Sequence, residues 1–219
     1  MKIGTRSMIA IAIAILPLLG IGLVPGDARE RTDKGTKTVW SFNDNAEGNV
    51  AKGFKSAVGE WKVVSSDGEK VLAQQAKNSN STFNLGFITD TKAKDVDLSV
   101  KMKAIAGEID QGGGLVWRAE DKSNYYLARF NPLEDNYRLY KVQDGKRTLF
   151  VNADIKATPG WHTLRVVMRG DQIECFFDGK KSLEHADSTF TNAGMIGLWS
   201  KADAQSYFDD LTLISKASE

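Results

Sequence analysis

One stretch, residues 95–103, dictates the fold class. Val96, Leu98, Val100 and Met102 alternate there with Asp97, Ser99, Lys101 and Lys103. Successive side chains of a strand point to opposite faces, so this period of two describes a strand with one face buried and one wet. Alternation of the same kind recurs at 38–42, 60–65, 70–75, 84–89, 146–152, 161–169, 172–178, 181–186, 193–200 and 206–214. Ser66-Asp67-Gly68, Asp144-Gly145, Gly170-Asp171 and Asp178-Gly179 separate neighbouring segments, and these residue types favour tight turns between strands. Residues 112–142 add three consecutive strands with polar turns near 121–123 and 132–135. No segment carries a sustained helical stripe. About thirteen short strands at roughly ten-residue spacing predict an all-β fold, a two-sheet antiparallel sandwich of jelly-roll type.

The N-terminus has a different character. Lys2 and Arg6 precede an uncharged apolar run over 8–24, and Gly26 and Ala28 occupy the small-residue positions that a signal peptidase reads. Residues 1–28 are therefore expected to be a secretory signal peptide. The alternative is a retained anchor, at the lower length limit for crossing a bilayer. Residues 29–37 (RERTDKGTK) are expected to form a flexible charged linker, and residues 38–215 a single domain. Cleavage would remove Lys2, Arg6 and Asp27 from 29 basic and 28 acidic residues, leaving 27 of each. That balance argues against nucleic acid, which demands a basic face. No second apolar run is long enough to span a bilayer, so no membrane partner is expected after signal cleavage, and the expected location is periplasmic or secreted. Cys175 is the only cysteine and alternates with Ile173 and Phe177, which predicts a small buried hydrophobe.

Chemistry concentrates in residues 112–142. Arg118, Arg129 and Arg138 stand there on successive strands among Trp117, Tyr125, Tyr126, Tyr137 and Tyr140. Arginine offers a planar fork of donors to hydroxyls or a carboxylate, and an aromatic ring offers a flat apolar face to a sugar. The expected ligand-binding residues are Arg118, Tyr126, Arg129, Asn131, Asn136, Arg138 and Tyr140, joined by Trp199 and Lys201 from a loop approaching the same face. Parity within strands places Arg118 with Val116, and Arg138 with Asn136 and Tyr140. Glu134 and Asp135, in the turn at the rim, are the candidate acid/base carboxylates. The competing reading pairs the arginines structurally with Glu120, Glu134 and Asp135. His162 and His185 are far apart with no second ligand spaced to them, which argues against a transition metal.

Taken together, GGGLVWR (112–118), NYYLARFN (124–131), WHTLRV (161–166), CFFDGK (175–180), AGMIGLWSKADA (193–204) and YFDDLTL (207–213) resemble the concanavalin A-like lectin and glucanase superfamily. Within it they are similar to laminin-G-like modules and to bacterial 3-keto-disaccharide hydrolase and family 16 glycoside hydrolase-like domains. The resemblance implies the jelly-roll fold and a saccharide as partner. Family 16 enzymes set acidic residues at alternate positions along one strand. Glu108 and Asp110 match the first two places, but Gly112 and Gly113 stand where the third acid belongs. The catalytic set is incomplete, and Glu108 and Asp110 read as surface carboxylates in a turn. The superfamily also implies a structural calcium ion, for which Asp210 and Asn43 are the matching positions; no cofactor is otherwise required. Three functions stay open. The leading one is a module binding a carbohydrate or envelope glycan on the Arg/Tyr face. The second is a glycoside hydrolase-like enzyme acting on a saccharide or 3-keto-saccharide, and the third is a structural or adhesion module.

Overall fold

The computed structural model describes residues 28–32 and 35–215. Among them are sixteen strands and no helix. Two antiparallel sheets form a sandwich. The nine-stranded sheet runs β1 (Ala28–Thr32), β2 (Gly35–Trp40), β16 (Gln205–Ser215), β7 (Val96–Ala106), β12 (Trp161–Arg169), β13 (Gln172–Phe177), β14 (Lys180–Ala186). It also holds β4 (Trp61–Ser66) and β5 (Glu69–Gln74), with β5 paired to β16. The seven-stranded sheet runs β11 (Lys146–Asp154), β10 (Asn136–Gln143), β9 (Tyr125–Asn131), β8 (Gly113–Ala119), β15 (Gly194–Lys201), β6 (Phe83–Ala93), β3 (Phe54–Val58). Every pairing is antiparallel, as jelly-roll architecture requires.

The alternation in residues 95–103 sets β7 as expected. Val96, Leu98, Val100 and Met102 are buried, while Asp97, Ser99, Lys101 and Lys103 are not. They meet Leu115, Trp117, Phe130, Leu164, Val166 and Leu198 in the core between the sheets. Each such side chain contributes roughly 1.5–3 kcal/mol by leaving water. Cys175 is buried in the same core, and burial raises its thiol pKa well above the ordinary value.

Two local expectations change. Part of the expected linker is ordered as strand: β1 pairs with β2 from Ala28↔Val39 to Thr32↔Gly35. Main-chain pairing with an open sheet edge needs no hydrophobic pattern, so the charged composition gives no sign of it. The short, half-exposed β3 was not foreseen either, because FKSAV barely alternates. Residues 1–27 of the expected signal peptide lie outside the described residues.

A second apolar cluster lies on the other side of the seven-stranded sheet. Along β8, Leu115 and Trp117 face the core and Val116 faces away; along β9, Tyr126, Ala128 and Phe130 face the core and Tyr125 and Leu127 face away. Leu85, Phe87, Tyr140, Val142 and Trp199 complete this outer cluster. An outer face normally carries polar side chains. This one hides large aromatic residues beneath Ala57, Val58, Phe83 and Met195, so it forms a second, smaller core.

Candidate functional site on the outer face of the seven-stranded sheet

Register decides which residues share the outer face. Asn131 opposes Asn136, Arg129 opposes Arg138, and Leu127 opposes Tyr140 across β9 and β10. A β-bulge in β11 slips the next pairing: Leu139 opposes Val151 but Tyr140 opposes Leu149, so Phe150 is the extra residue. Directly opposed residues lie on the same face. The slip therefore puts both Asn152 (opposite Arg138) and Arg147 (opposite Val142) on the outer face, although their spacing alone would separate them. On β15, Trp199 and Lys201 share that face.

The polar centre is Arg129. Its side chain is 1% exposed. Nη2 donates to Glu134 Oε2 at 2.9 Å, while Nε and Nη1 have no partner. Glu134 Oε2 also accepts from Arg138 Nη1 at 2.9 Å and Asn136 Nδ2 at 3.0 Å. Partial burial alone would raise the pKa of Glu134, but these three donors outweigh it and hold it down at about 2. Arg138 Nε donates to Asn152 Oδ1 at 2.7 Å.

Asp110 stands beside this group and is 1% exposed. Its Oδ1 accepts from the Gly112 amide at 2.6 Å and from Asn131 Nδ2 at 3.2 Å. Oδ2 has no hydrogen-bond partner and lies 3.6 Å from Lys201 Nζ. The loop that carries Asp110 is held by Asp203, whose carboxylate accepts from the amides of Glu108, Ile109 and Asp110 at 2.8–3.2 Å. The glycines after it supply room. A Cβ on Gly112 would stand 2.7 Å from Asp110 Oδ1, and one on Gly114 would stand 2.2 Å from the Ala128 carbonyl oxygen.

Arg147 closes the group. Its guanidinium lies 4.5 Å from the Tyr140 ring, 5.3 Å from Phe83 and 5.8 Å from Trp199. Nη1 is buried without a partner. Desolvation lowers its pKa, and the neighbouring charge of Arg129 acts in the same direction. The Tyr125 hydroxyl and the Trp199 indole N–H are buried nearby and face each other, with no other hydrogen-bond partner.

The structure thus gathers Arg129, Asn131, Asn136, Arg138, Tyr140, Trp199 and Lys201 as expected, and parts them from two others. Arg118 is not on this face. It sits in a bulge: Met195 opposes Ala119 and Gly197 opposes Val116, leaving Trp117 and Arg118 to share one partner, and Arg118 has φ 46°. Its guanidinium turns to the end of the sandwich and donates to the carbonyls of Lys94, Phe190 and Gly170, and to Asp95. Tyr126 faces the core, where its hydroxyl donates to Asp187 Oδ1 at 2.6 Å and accepts from the Phe190 amide. An odd spacing separates it from Arg129, and only Tyr125 has the parity to share that face.

The carboxylate expectations also shift. Glu134, ionised and held by three donors, is a poor general acid, and its low pKa makes it a weak base. Asp135 is an exposed turn residue with φ 50° whose carbonyl accepts from the Ile155 amide. Asp110 is a buried member of the site rather than a surface carboxylate. Trp199 and Lys201 belong to β15 rather than to a loop. Asn43 and Asp210 are otherwise engaged: Asn43 bonds Glu69 and the Lys70 amide, and Asp210 pairs with Lys101 at 2.6 Å. Among the described residues no group of three His, Cys, Asp or Glu side chains is placed to hold a metal ion. Asp110, Tyr125 and Arg147 were missed as site residues. The glycine run after Asp110 was the available signal for the first, and parity with Arg129 for the second.

Solved structures share this architecture. The carbohydrate-binding module CBM66 from Bacillus subtilis superposes with a TM-score of 0.64 at 19% identity, over 74% of this chain and 96% of that one. A lichenase, a β-1,3-1,4-glucanase derived from a mouse hindgut metagenome, gives 0.56 at 11% identity over 83% and 99%. A native glycosidic hydrolase gives 0.55 at 14% identity over 84% and 97%. At such identities the likeness is one of fold, the concanavalin A-like jelly roll. No curated protein matches the chain. Residues 39–214 match the family described as the 3-keto-alpha-glucoside-1,2-lyase-like domain, and since the match spans most of the sequence, the chain belongs to that family.

Proposed function

We propose that the outer face of the seven-stranded sheet is a saccharide-binding site and that the protein is an exported carbohydrate-binding module. One observation carries this reading. Four buried polar atoms, Arg129 Nε and Nη1, Asp110 Oδ2 and Asn136 Oδ1, have no partner, and all belong to one group of side chains on one sheet face. Leaving a buried donor or acceptor unmade costs about 1–3 kcal/mol each, so such groups persist where a ligand or water completes them. Tyr140 and Trp199, buried beneath Arg147, form the apolar floor of this group. The fold shared with a carbohydrate-binding module points the same way. The N-terminal segment supports export to the periplasm or beyond.

A second reading is favoured by the family and by Asp110. A buried carboxylate with one free oxygen beside a lysine can serve as base or acid on a bound 3-keto-saccharide. Glu134 would then orient Arg129 rather than move a proton.

Tryptophan fluorescence tests both. Trp199 is the only one of the five tryptophans in the outer cluster. Titration with a panel of oligosaccharides is expected to change the emission of the wild type but not of Trp199→Phe. Emission that never changes, or changes equally in the variant, refutes the binding face. Product release from a 3-keto-glucoside that disappears in Asp110→Asn would select the enzyme over the binding module.

A further inference from the structure

We infer that the ligand of this face is an acidic saccharide, one that carries a carboxylate or another oxyanion, seated between Arg129 and Arg147. The inference rests on the binding reading above and adds the charge of the ligand.

The ion pairs of the face do not balance. Arg129 and Arg138 share a single carboxylate, Glu134, and Lys201 faces Asp110. Arg147 makes no ion pair and stacks on the rings of Tyr140, Phe83 and Trp199, with Asp110 and Glu134 acting on it only at longer range. Four cations thus stand against three carboxylates, Glu134, Asp110 and, at the exposed edge, Asp154, which accepts from Asn152 rather than from a cation. The unpartnered atoms lean the same way. Arg129 presents two free nitrogens and Arg147 a third, all buried. Two guanidinium groups close enough to repel one another, one buried and one half-buried, are a costly arrangement unless an anion joins them. A carboxylate or sulfate matches the fork of a guanidinium with two parallel hydrogen bonds. The stack of Arg147 on Tyr140 and Trp199 fixes that fork in place above the buried rings. A neutral sugar would satisfy the donors with hydroxyl oxygens but leave the excess charge uncompensated.

The experiment is calorimetric titration of the full chain with matched glycans. One arm uses an oligogalacturonate, the second the same oligosaccharide with its carboxyl groups methyl-esterified, and the third a sulfated galactan oligosaccharide of equal length. The acidic ligands are expected to bind at least about tenfold more tightly than the ester, since hydrogen bonds to charged groups are roughly twice as strong as neutral ones. The preference should persist in 150 mM salt, because buried charges are screened little (about 8 Å Debye length at that ionic strength). The first and third arms tell carboxylate from sulfate. Arg147→Met is expected to bring the acid-to-ester affinity ratio down to about one, whatever it does to the affinity for the ester, and Arg147→Lys, which keeps the charge without the fork, to retain part of the ratio. Equal affinity for acid and ester overturns the inference and leaves the binding face standing. Binding of no glycan in any arm overturns both.

Discussion

Two arginines of this protein are equally hidden, each 1% exposed, and they serve opposite ends. Arg118 closes one end of the sandwich. It spends its donors on three carbonyls from separate connecting segments, with Asp95 as counter-charge. Arg129 lies on the outer face and uses one of its three nitrogens. A buried guanidinium is costly to desolvate, so its surroundings reveal its role. Where the protein itself supplies every acceptor, the arginine is a staple. Where it supplies one and leaves two nitrogens free, a ligand or water is needed to complete them. The same contrast holds for the tyrosines next to each other in β9. Tyr126 is bonded to the segment around Asp187, while the Tyr125 hydroxyl has only the Trp199 indole beside it.

The sharpest test of this contrast is stability. Arg118→Met leaves three carbonyls and Asp95 without their donor, and is expected to cost about 3–5 kcal/mol in urea denaturation. Arg129→Met removes two unpaired donors along with one shared bond, and Glu134 keeps Arg138 and Asn136. Its expected cost is within about 1 kcal/mol, with loss of ligand binding as the larger effect. Equal destabilisation by the two substitutions would break the comparison, because Arg129 would then be a staple as well.

A smaller effect is expected from pH. The Glu134 pKa in the folded chain, about 2, lies below the ordinary glutamate value of 4.5. Its ionised form is therefore the stabilising one. That contribution is fully present above about pH 4.5 and is lost as pH falls toward 2. The side chain is 38% exposed, so solvent screens the interaction and the effect is modest. Glu134→Gln should flatten this part of the acid unfolding curve. An unchanged curve would show that Arg129 and Arg138 hold Glu134 only weakly.

Much of the site could be read from strand parity. Arg138, Asn136 and Tyr140 alternate on one strand, and Asn131 and Arg129 on the next, so short-range pattern was enough to bring them together. It failed where the pattern breaks. Arg118 is two residues from Val116 and by parity should share its face, but the bulge at Trp117 and Arg118 and the positive φ turn the side chain away. Arg147 and Asn152 are separated by an odd spacing, and only the extra residue at Phe150 returns both to one face. Asp110 sits in a glycine-flanked segment that reads as a turn. Its burial depends on Asp203, 93 residues further along the chain, whose carboxylate binds the amides of that loop.

By itself, then, the sequence determined the architecture: period-two burial and regular turn chemistry admit an all-β sandwich and little else. It also determined which residue types are rich on β8 to β10. Tertiary structure alone decided which buried arginine is bonded throughout by the protein and which is left with two free nitrogens. Bulges invert parity through one local residue, and partners for a buried charge come from distant segments. Neither leaves a periodic trace in the chain.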